Sequence, residues 1–369
     1  MSEPAAENAE LVVGLKHHLA SAWEQSDLAL REALSKSLTV AFLGSASSGK
    51  DSGIRALFGL DFGDISPIPG STDRLRVAKL DPAGKVLLVN APGFGDIRGE
   101  VDAVARQVLD TLDIVVYVVN CEGGATIDEK RDLDAIRERG RPVLVALNKI
   151  DLIRPAQRDE FVAATLLQLG VDQKDAVVCA FDPLPQLSPE PIGIDFIIEW
   201  IAEQLTEGGK GLLFAKHLRN KAAACEPIIS RAAKAASIAG AVPIPGADLA
   251  AVTAVQVKLI RDIAEVHGVE VDRQVAVFII GQVLTGGMKG FLRWGVEALK
   301  TAGFIPGTQF AEGAILALGS VVAGASTYGV GKAAVAWMQR GGKIEVDALR
   351  SIFDMAAWDY KKRKDPTGS

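Results

Sequence analysis

The stretch LTVAFLGSASSGKDS, residues 38–52, decides the expected fold. Residues 38–43 are mostly apolar and predict a short buried strand. Gly44 and Gly49 enclose a loop of small residues, and helical spacing resumes over residues 54–60. The stretch therefore predicts a strand, a tight loop and a helix in direct succession.

Segments of the same two kinds alternate along the chain as far as residue 205. This alternation predicts the α/β class, with a mostly parallel sheet covered by helices on both faces. The remaining predicted strands are 75–80, 86–90, 114–119, 143–148 and 176–180, and the remaining predicted helices are 99–112, 128–139, 158–169 and 194–205.

The composition changes after residue 206, where Glu207–Gly211 has the character of a linker. The later part is rich in Ala, Gly, Val and Ile and shows no strand alternation. Residues 8–36 carry apolar side chains at helical spacing and predict one long helix or two shorter ones. We therefore expect a sheet domain over 37–206 and an all-α domain that combines 1–36 with 207–369.

Two weakly charged stretches in the later part are the nearest approach to membrane spans. Residues 238–257 contain one charge, Asp248, and residues 313–331 contain none. Pro243 and Pro245 interrupt the first stretch, and small residues dilute the second. A buried helical core is one interpretation, and insertion into a membrane or reversible contact with its surface is the other.

The loop at residues 44–52 has the glycine and lysine spacing of a P-loop. Its glycines allow the backbone to fold around a phosphate with the amide N–H groups directed inward, while the next helix presents its positive N-terminus. Lys50 is predicted to reach the β- and γ-phosphates of a nucleotide. The predicted nucleotide contacts in this loop are Gly44, Ser45, Ser47, Ser48, Gly49, Lys50, Asp51 and Ser52.

A second motif, Asn148-Lys149-Ile150-Asp151, ends an apolar strand about a hundred residues later. The Asp151 carboxylate suits guanine, because it can accept both N1–H and the exocyclic amine, a pair that adenine does not offer. Lys149 is expected to lie along the plane of the base. The motif therefore predicts that the nucleotide is a guanine nucleotide.

Three further elements occupy loops or strand ends: Thr72 in the loop 69–73, Asn90-Ala-Pro-Gly93, and Cys179-Ala180-Phe181. In this order the five elements resemble the translation-factor-type GTPases, nearest to the Era-like branch, over residues 36–206. The resemblance implies binding of GTP and GDP with Mg²⁺, and hydrolysis of GTP to GDP.

The resemblance also implies roles for single residues. Lys50, Thr72 and Gly93 become the catalytic residues, with Thr72 as the switch threonine that ligates Mg²⁺ when GTP is bound. Ser71, or neither residue, is the alternative to Thr72. The Gly93 amide would sense the γ-phosphate, and a backbone amide at Cys179 and Ala180 would contact guanine.

The C-terminal part carries a resemblance of its own. Residues 241–271 resemble an uncharacterised hydrophobic domain family. The order of N-terminal helix, GTPase domain and C-terminal helices resembles bacterial relatives of the immunity-related GTPases, which behave like dynamins. This resemblance implies a homodimer or oligomer formed through the GTPase domain, and contact of the helices with a membrane.

Two departures from the GTPase pattern fall on the predicted metal site, which comprises Asp51, Thr72 and Asn90. Asp51 stands where Ser or Thr is usual, and Asn90 stands where Asp is usual. One interpretation is a compensating exchange in which Asp51 supplies an oxygen to Mg²⁺. The other is loss of function, because an unshielded carboxylate repels the phosphates.

The residue that orients the attacking water is also replaced, since Phe94 follows Gly93. We therefore expect slow turnover that rises when a second subunit supplies the missing group. Arg74, Asp96 and Arg98 are candidates for that group, with solvated surface charges as the alternative.

The overall composition excludes other classes. The chain has 369 residues, 49% hydrophobic and 23% charged, with a net charge of −6. This balance disfavours disorder and a nucleic-acid partner. Three scattered cysteines predict a reducing, cytoplasmic location, with peripheral membrane association as a further possibility. The hypotheses are a GTPase acting at a membrane, a nucleotide-sensing scaffold with little turnover, and an integral membrane protein with a GTPase head.

Overall fold

A computed structural model describes residues 3–62, 75–91, 110–241, 247–286 and 309–364. The chain divides into two compact units. The sheet unit comprises Ala33–Ala223, and the helical unit comprises Met1–Glu32 together with Ala224–Ser369. The boundary between them therefore lies later in the chain than the predicted linker at 207–211.

The sheet unit contains six strands in the order β2-β3-β1-β4-β5-β6. All neighbouring pairs are parallel except β2 and β3, which are antiparallel, so β2 forms an antiparallel edge. The predicted α/β fold class is confirmed. The strands are β1 (Leu38–Leu43), β2 (Arg76–Lys79), β3 (Val86–Asn90), β4 (Ile114–Asn120), β5 (Val143–Asn148) and β6 (Ala176–Val178).

Burial explains the apolar character of the central strands. Every residue of β1 and β5 is buried, as expected for parallel strands that helices cover on both faces. The helices of this unit are α2 (Lys50–Phe58), α3 (Ile127–Glu138), α4 (Arg158–Leu169), α5 (Ile194–Gln204) and α6 (Gly211–His217). The predicted helix at 99–112 lies almost entirely outside the described residues.

The helical unit is built from the two ends of the chain. Its helices are α1 (Glu3–Ser35, which runs past the boundary), α7 (Lys221–Gly240, which begins just before it), α8 (Ala247–His267), α9 (Arg273–Gly286), α10 (Gln309–Gln339) and α11 (Val346–Lys364). Helix α10 packs against α11 and α8. The predicted all-α domain formed by both terminal segments is confirmed. No helix in the described part of the chain is both long enough and apolar enough to cross a bilayer.

A largely buried arginine holds the N-terminal helix within this unit. The Arg261 guanidinium donates to Trp23 O and Ser26 Oγ, both at 3.0 Å, and forms an ion pair with Asp27 at 2.6 Å. It also lies 4.3 Å from the centre of the Trp23 ring. The single arginine therefore fixes α1 through hydrogen bonds, charge and stacking.

Candidate functional site

The loop after β1 requires glycine at both ends. Gly44 has φ 141° and Gly49 has φ 98°, a region that other residues rarely adopt. A Cβ on Gly44 would lie 2.2 Å from Val118 O, and one on Gly49 would lie 2.2 Å from Asn148 Nδ2. The tight backbone path therefore depends on both glycines.

Lys50 folds back over this loop. Its Nζ donates to Gly44 O at 2.9 Å and to Ser45 O at 2.8 Å. Burial lowers the pKa of Lys50, and the neighbouring Asp51 carboxylate opposes that shift. The ammonium group therefore lies inside the concave side of the loop, where an anion would be attracted to it.

Helix α2 starts directly at this loop. Gly49 is its N-cap and, having no side chain, caps none of the helix amides. The positive end of the helix is suited to attract an anion. Ser52 lies in the first turn and Ser47 has a left-handed φ of 58°. Ser48 Oγ is buried without a hydrogen-bond partner among the described residues.

The two unusual residues of the predicted metal site meet in space. Asn90 ends β3, and its side-chain amide donates to Asp51 Oδ1 in the first turn of α2. Within the described residues, no three His, Cys, Asp or Glu side chains form a group that would hold a metal. Carboxylate and amide oxygens, the kinds that Asp51 and Asn90 carry, are of the hard type that Mg²⁺ prefers.

Asn148 connects three loops at the end of β5. Its Nδ2 donates to Ser48 O at 2.8 Å, and its Oδ1 accepts from Phe181 N at 3.0 Å. The side chain is buried. Asn148 therefore fastens the P-loop to the loop after β6 rather than facing an open space.

Lys149 and Asp151 lie next to this fastening. Lys149 has a left-handed φ of 65°, and its Nζ forms an ion pair with Glu122 at 2.9 Å. The hydrogen bond from Lys149 is the main cause that lowers the pKa of Glu122. Asp151 Oδ2 accepts from Leu184 N at 3.2 Å. The structure therefore brings the predicted base-binding residues to the side of the P-loop.

Cys179 and Ala180 also lie at this edge, directly after β6. The amide of Cys179 donates to Leu147 O at 2.9 Å, and that of Ala180 donates to Ile192 O at 3.2 Å. Because an amide carries one hydrogen, contact of either amide with guanine requires one of these bonds to open. Burial raises the pKa of the Cys179 thiol, which favours the neutral form.

One residue that the motifs did not indicate touches the P-loop. Glu129 is buried at the start of α3, and its Oε1 accepts from Ser45 Oγ at 3.2 Å. The sequence signal for Glu129 was the spacing Thr-x-x-Glu at 126–129, which is typical of a capping box. That signal locates the helix start but gives no reason to expect contact with the loop.

Thr72 and Gly93 lie outside the described residues, as do Arg74, Asp96 and Arg98. Their predicted roles remain predictions. The described part of the site consists of the P-loop, the Asn90 end of β3, and the loops after β5 and β6.

Two family models match the chain in separate regions. Residues 39–149 match a family described as "50S ribosome-binding GTPase". Residues 212–356 match a domain of unknown function, DUF697. The first region contains the P-loop and ends within the 148–151 motif.

Curated relatives match the same region as the first model. GTPase Der from Bifidobacterium longum is 32% identical over 139 residues, which is 36% of this chain and 29% of the relative. GTPase Era from Aquifex aeolicus is 30% identical over 128 residues, which is 32% of this chain and 42% of the relative. The chain thus spans less than half the length of either relative.

Solved structures align with a similar share of the chain. A probable GTP-binding protein engB is 21% identical with a TM-score of 0.33, covering 46% of this chain and 99% of its own. The FeoB G-domain from Methanococcus jannaschii is 19% identical with a TM-score of 0.30, with the same coverage. The match to the GTPase family model, the curated relatives and the six-stranded sheet support a P-loop GTPase domain that includes residues 39–149.

Proposed function

We propose that this chain binds guanine nucleotides and hydrolyses GTP to GDP in the cytoplasm. One observation carries the proposal: the bond from Asn148 Nδ2 to Ser48 O, at 2.8 Å, fastens the phosphate loop to the base-recognition motif across 100 residues of sequence. A phosphate cradle and a base-recognition loop joined in this way suit a ligand that has a phosphate chain at one end and a base at the other.

In this proposal Asp151 selects the base. A carboxylate presents two acceptor oxygens, which match the N1–H and the exocyclic amine of guanine. Adenine offers no such pair, so its binding would leave an acceptor unsatisfied. Leu184 N, which already donates to Asp151 Oδ2, orients the carboxylate.

The substitution Asp151→Asn tests this assignment. Asn retains one acceptor and replaces the other with a donor, so GTP affinity should fall about 100-fold. Affinity for XTP should rise, because xanthine carries a carbonyl where guanine carries the amine. The matched control is Asp159→Asn on the exposed start of α4, which should change neither affinity. Undiminished GTP binding by Asp151→Asn, measured by calorimetry, would contradict the assignment.

We further propose that the phosphates are bound by the P-loop amides, Lys50 and Mg²⁺. Asp51 and Asn90 would hold the metal, together with Thr72, and the metal would neutralise charge that develops on the phosphates. The contact between Asn90 and Asp51 supports this assignment, because it brings the two side chains together at the start of α2. Lys50 would stabilise the same charge from within the loop.

A second candidate function is a nucleotide-sensing scaffold with little turnover. The observation that favours it is the same hydrogen bond: the Asn90 amide is a donor to Asp51, so in this arrangement it partly satisfies the carboxylate without a metal. The carboxylate would then face the phosphates without full neutralisation.

The substitution Asp51→Ser separates the two functions, with Glu138→Gln on α3 as a control far from the loop. If Asp51 is a metal ligand, Mg²⁺-dependent GTP affinity and phosphate release should both fall. If the carboxylate only repels phosphate, both should rise. Titrating GTP with and without Mg²⁺ gives the answer.

We also propose slow turnover assisted by self-association through the GTPase domain, because Phe94 cannot orient a water molecule.

For the helical unit we propose contact with anionic membrane surfaces through the basic end of α11, where Lys361 lies over the Trp358 ring at 4.7 Å. Flotation with vesicles that contain phosphatidylserine tests this membrane contact. Failure to float at low salt would contradict it.

A further inference from the structure

Glu129 occupies a position that helix capping alone does not explain. The residue is only 4% exposed. One oxygen, Oε2, accepts from Thr126 N at 3.0 Å, and Thr126 Oγ1 accepts from Glu129 N at 3.2 Å, which completes the capping box. The other oxygen, Oε1, leaves the helix and accepts from Ser45 Oγ in the P-loop.

Ser45 is therefore held through its hydroxyl and its carbonyl. Its hydroxyl donates to Glu129, and its carbonyl accepts from Lys50 Nζ at 2.8 Å. The result is a continuous chain of hydrogen bonds from the start of α3, through the first turn of the loop, to the lysine that is proposed to bind phosphate.

We propose that Glu129 is a positioning residue for nucleotide binding, which acts on Lys50 through Ser45. The proposal rests on the proposed function of the same loop. A buried carboxylate is a strong acceptor, so it fixes the Ser45 hydroxyl and with it the orientation of the Ser45 carbonyl. A loop whose conformation is fixed in advance loses less entropy when the phosphates bind.

Two substitutions break the connection from opposite ends. Ser45→Ala removes the donor but leaves both hydrogen bonds of the capping box in place. Glu129→Met keeps the length of the side chain but removes both acceptor oxygens. Because each substitution removes the hydrogen bond between Ser45 and Glu129, each should lower GDP affinity about tenfold in the presence of Mg²⁺.

The double variant reveals whether the two residues act as one unit. If Glu129 acts through Ser45, the double variant should lose no more than about twofold beyond either single variant. Glu129→Gln should retain near wild-type affinity, because its amide can accept from Thr126 and donate to the Ser45 hydroxyl. Glu138→Gln, an exposed substitution on the same helix, is the matched control.

A capping role alone gives a different set of results. Thermal stability would then fall for Glu129→Met, while GDP affinity stayed within twofold of wild type for Ser45→Ala. That result, or losses that multiply in the double variant, would overturn the positioning role. If the wild-type protein itself fails to bind GDP, the proposed function fails and the positioning role with it.

Discussion

The glycines of the two units differ in the reason for which the structure requires them. In the sheet unit, Gly44 and Gly49 lie in a loop and have positive φ. In the helical unit, Gly240, Gly324 and Gly329 lie within helices, where a Cβ would lie 2.1–2.6 Å from a neighbouring side chain. The sheet unit needs the backbone freedom of glycine, whereas the helical unit needs its small size.

This difference indicates that glycine contributes to ligand binding in the sheet unit and to helix packing in the helical unit. The loop glycines of the sheet unit form a concave backbone surface that can bind a ligand. The helix glycines allow close packing, as Gly240 and Gly319 do across α7 and α10, where a Cβ on Gly319 would lie 2.6 Å from Gly240 O. Loss of a glycine should therefore affect binding in one unit and stability in the other.

The largest effect is expected for Gly49→Ala. Alanine would be held at an unfavourable φ, and its Cβ would clash with the side-chain amide of Asn148. We therefore expect GTP affinity to fall about 100-fold. The control is Gly124→Ala, where φ is 67° but no atom of the described part of the chain lies within 4 Å of the new Cβ. Gly124→Ala therefore has the unfavourable φ of Gly49→Ala without the steric clash. Equal GTP affinities for the two variants would contradict the claim that a side chain at position 49 disrupts the nucleotide-binding loop.

A smaller effect is expected for Gly329→Ala in the helical unit. Its Cβ would lie 2.4 Å from the Phe353 ring and 3.0 Å from Phe353 O, so unfolding should require about 1–3 kcal/mol less. Gly281→Ala in α9 is the control, because no atom of the described residues lies within 4 Å of its Cβ. It should stabilise that helix by about 0.5–1 kcal/mol. Thermal unfolding measures both, and destabilisation by both variants would contradict the packing argument.

The smallest effect is expected from the pH dependence of stability in the sheet unit. Burial lowers the pKa of His217 in the sheet unit, although Asp81 opposes the shift. Below about pH 6.5 the unfolded chain therefore binds more protons than the folded unit, so stability falls as pH decreases. The thermal midpoint of His217→Gln should fall less than that of wild type between about pH 7.5 and 5.5. Parallel curves for the two proteins would contradict this.

Local patterns were enough to predict much of the sheet unit. The run at 38–43 became β1, and the segment at 158–169 became α4 with the predicted bounds. Both signals lie within a few neighbouring residues, where periodicity and glycine spacing are informative. The antiparallel edge strand β2 also falls within its predicted segment.

Contacts between distant segments were not predictable in the same way. The Asn148 contact with Ser48, the pairing of Asn90 with Asp51, and the reach of Glu129 to Ser45 each depend on strand order. Strand order is decided by the packing of the whole sheet, so no local window contains it. These contacts show how the predicted residues support one another, which their separate motifs did not reveal.

The most direct test is phosphate release from GTP and from ATP, measured with and without Mg²⁺ at several protein concentrations. We predict slow, Mg²⁺-dependent release from GTP, little from ATP, and turnover per subunit that rises with protein concentration. Equal release from the two nucleotides would contradict the role of Asp151. Tight GTP binding without any release would instead favour the scaffold, and turnover that is flat across concentrations would contradict assistance by a second subunit.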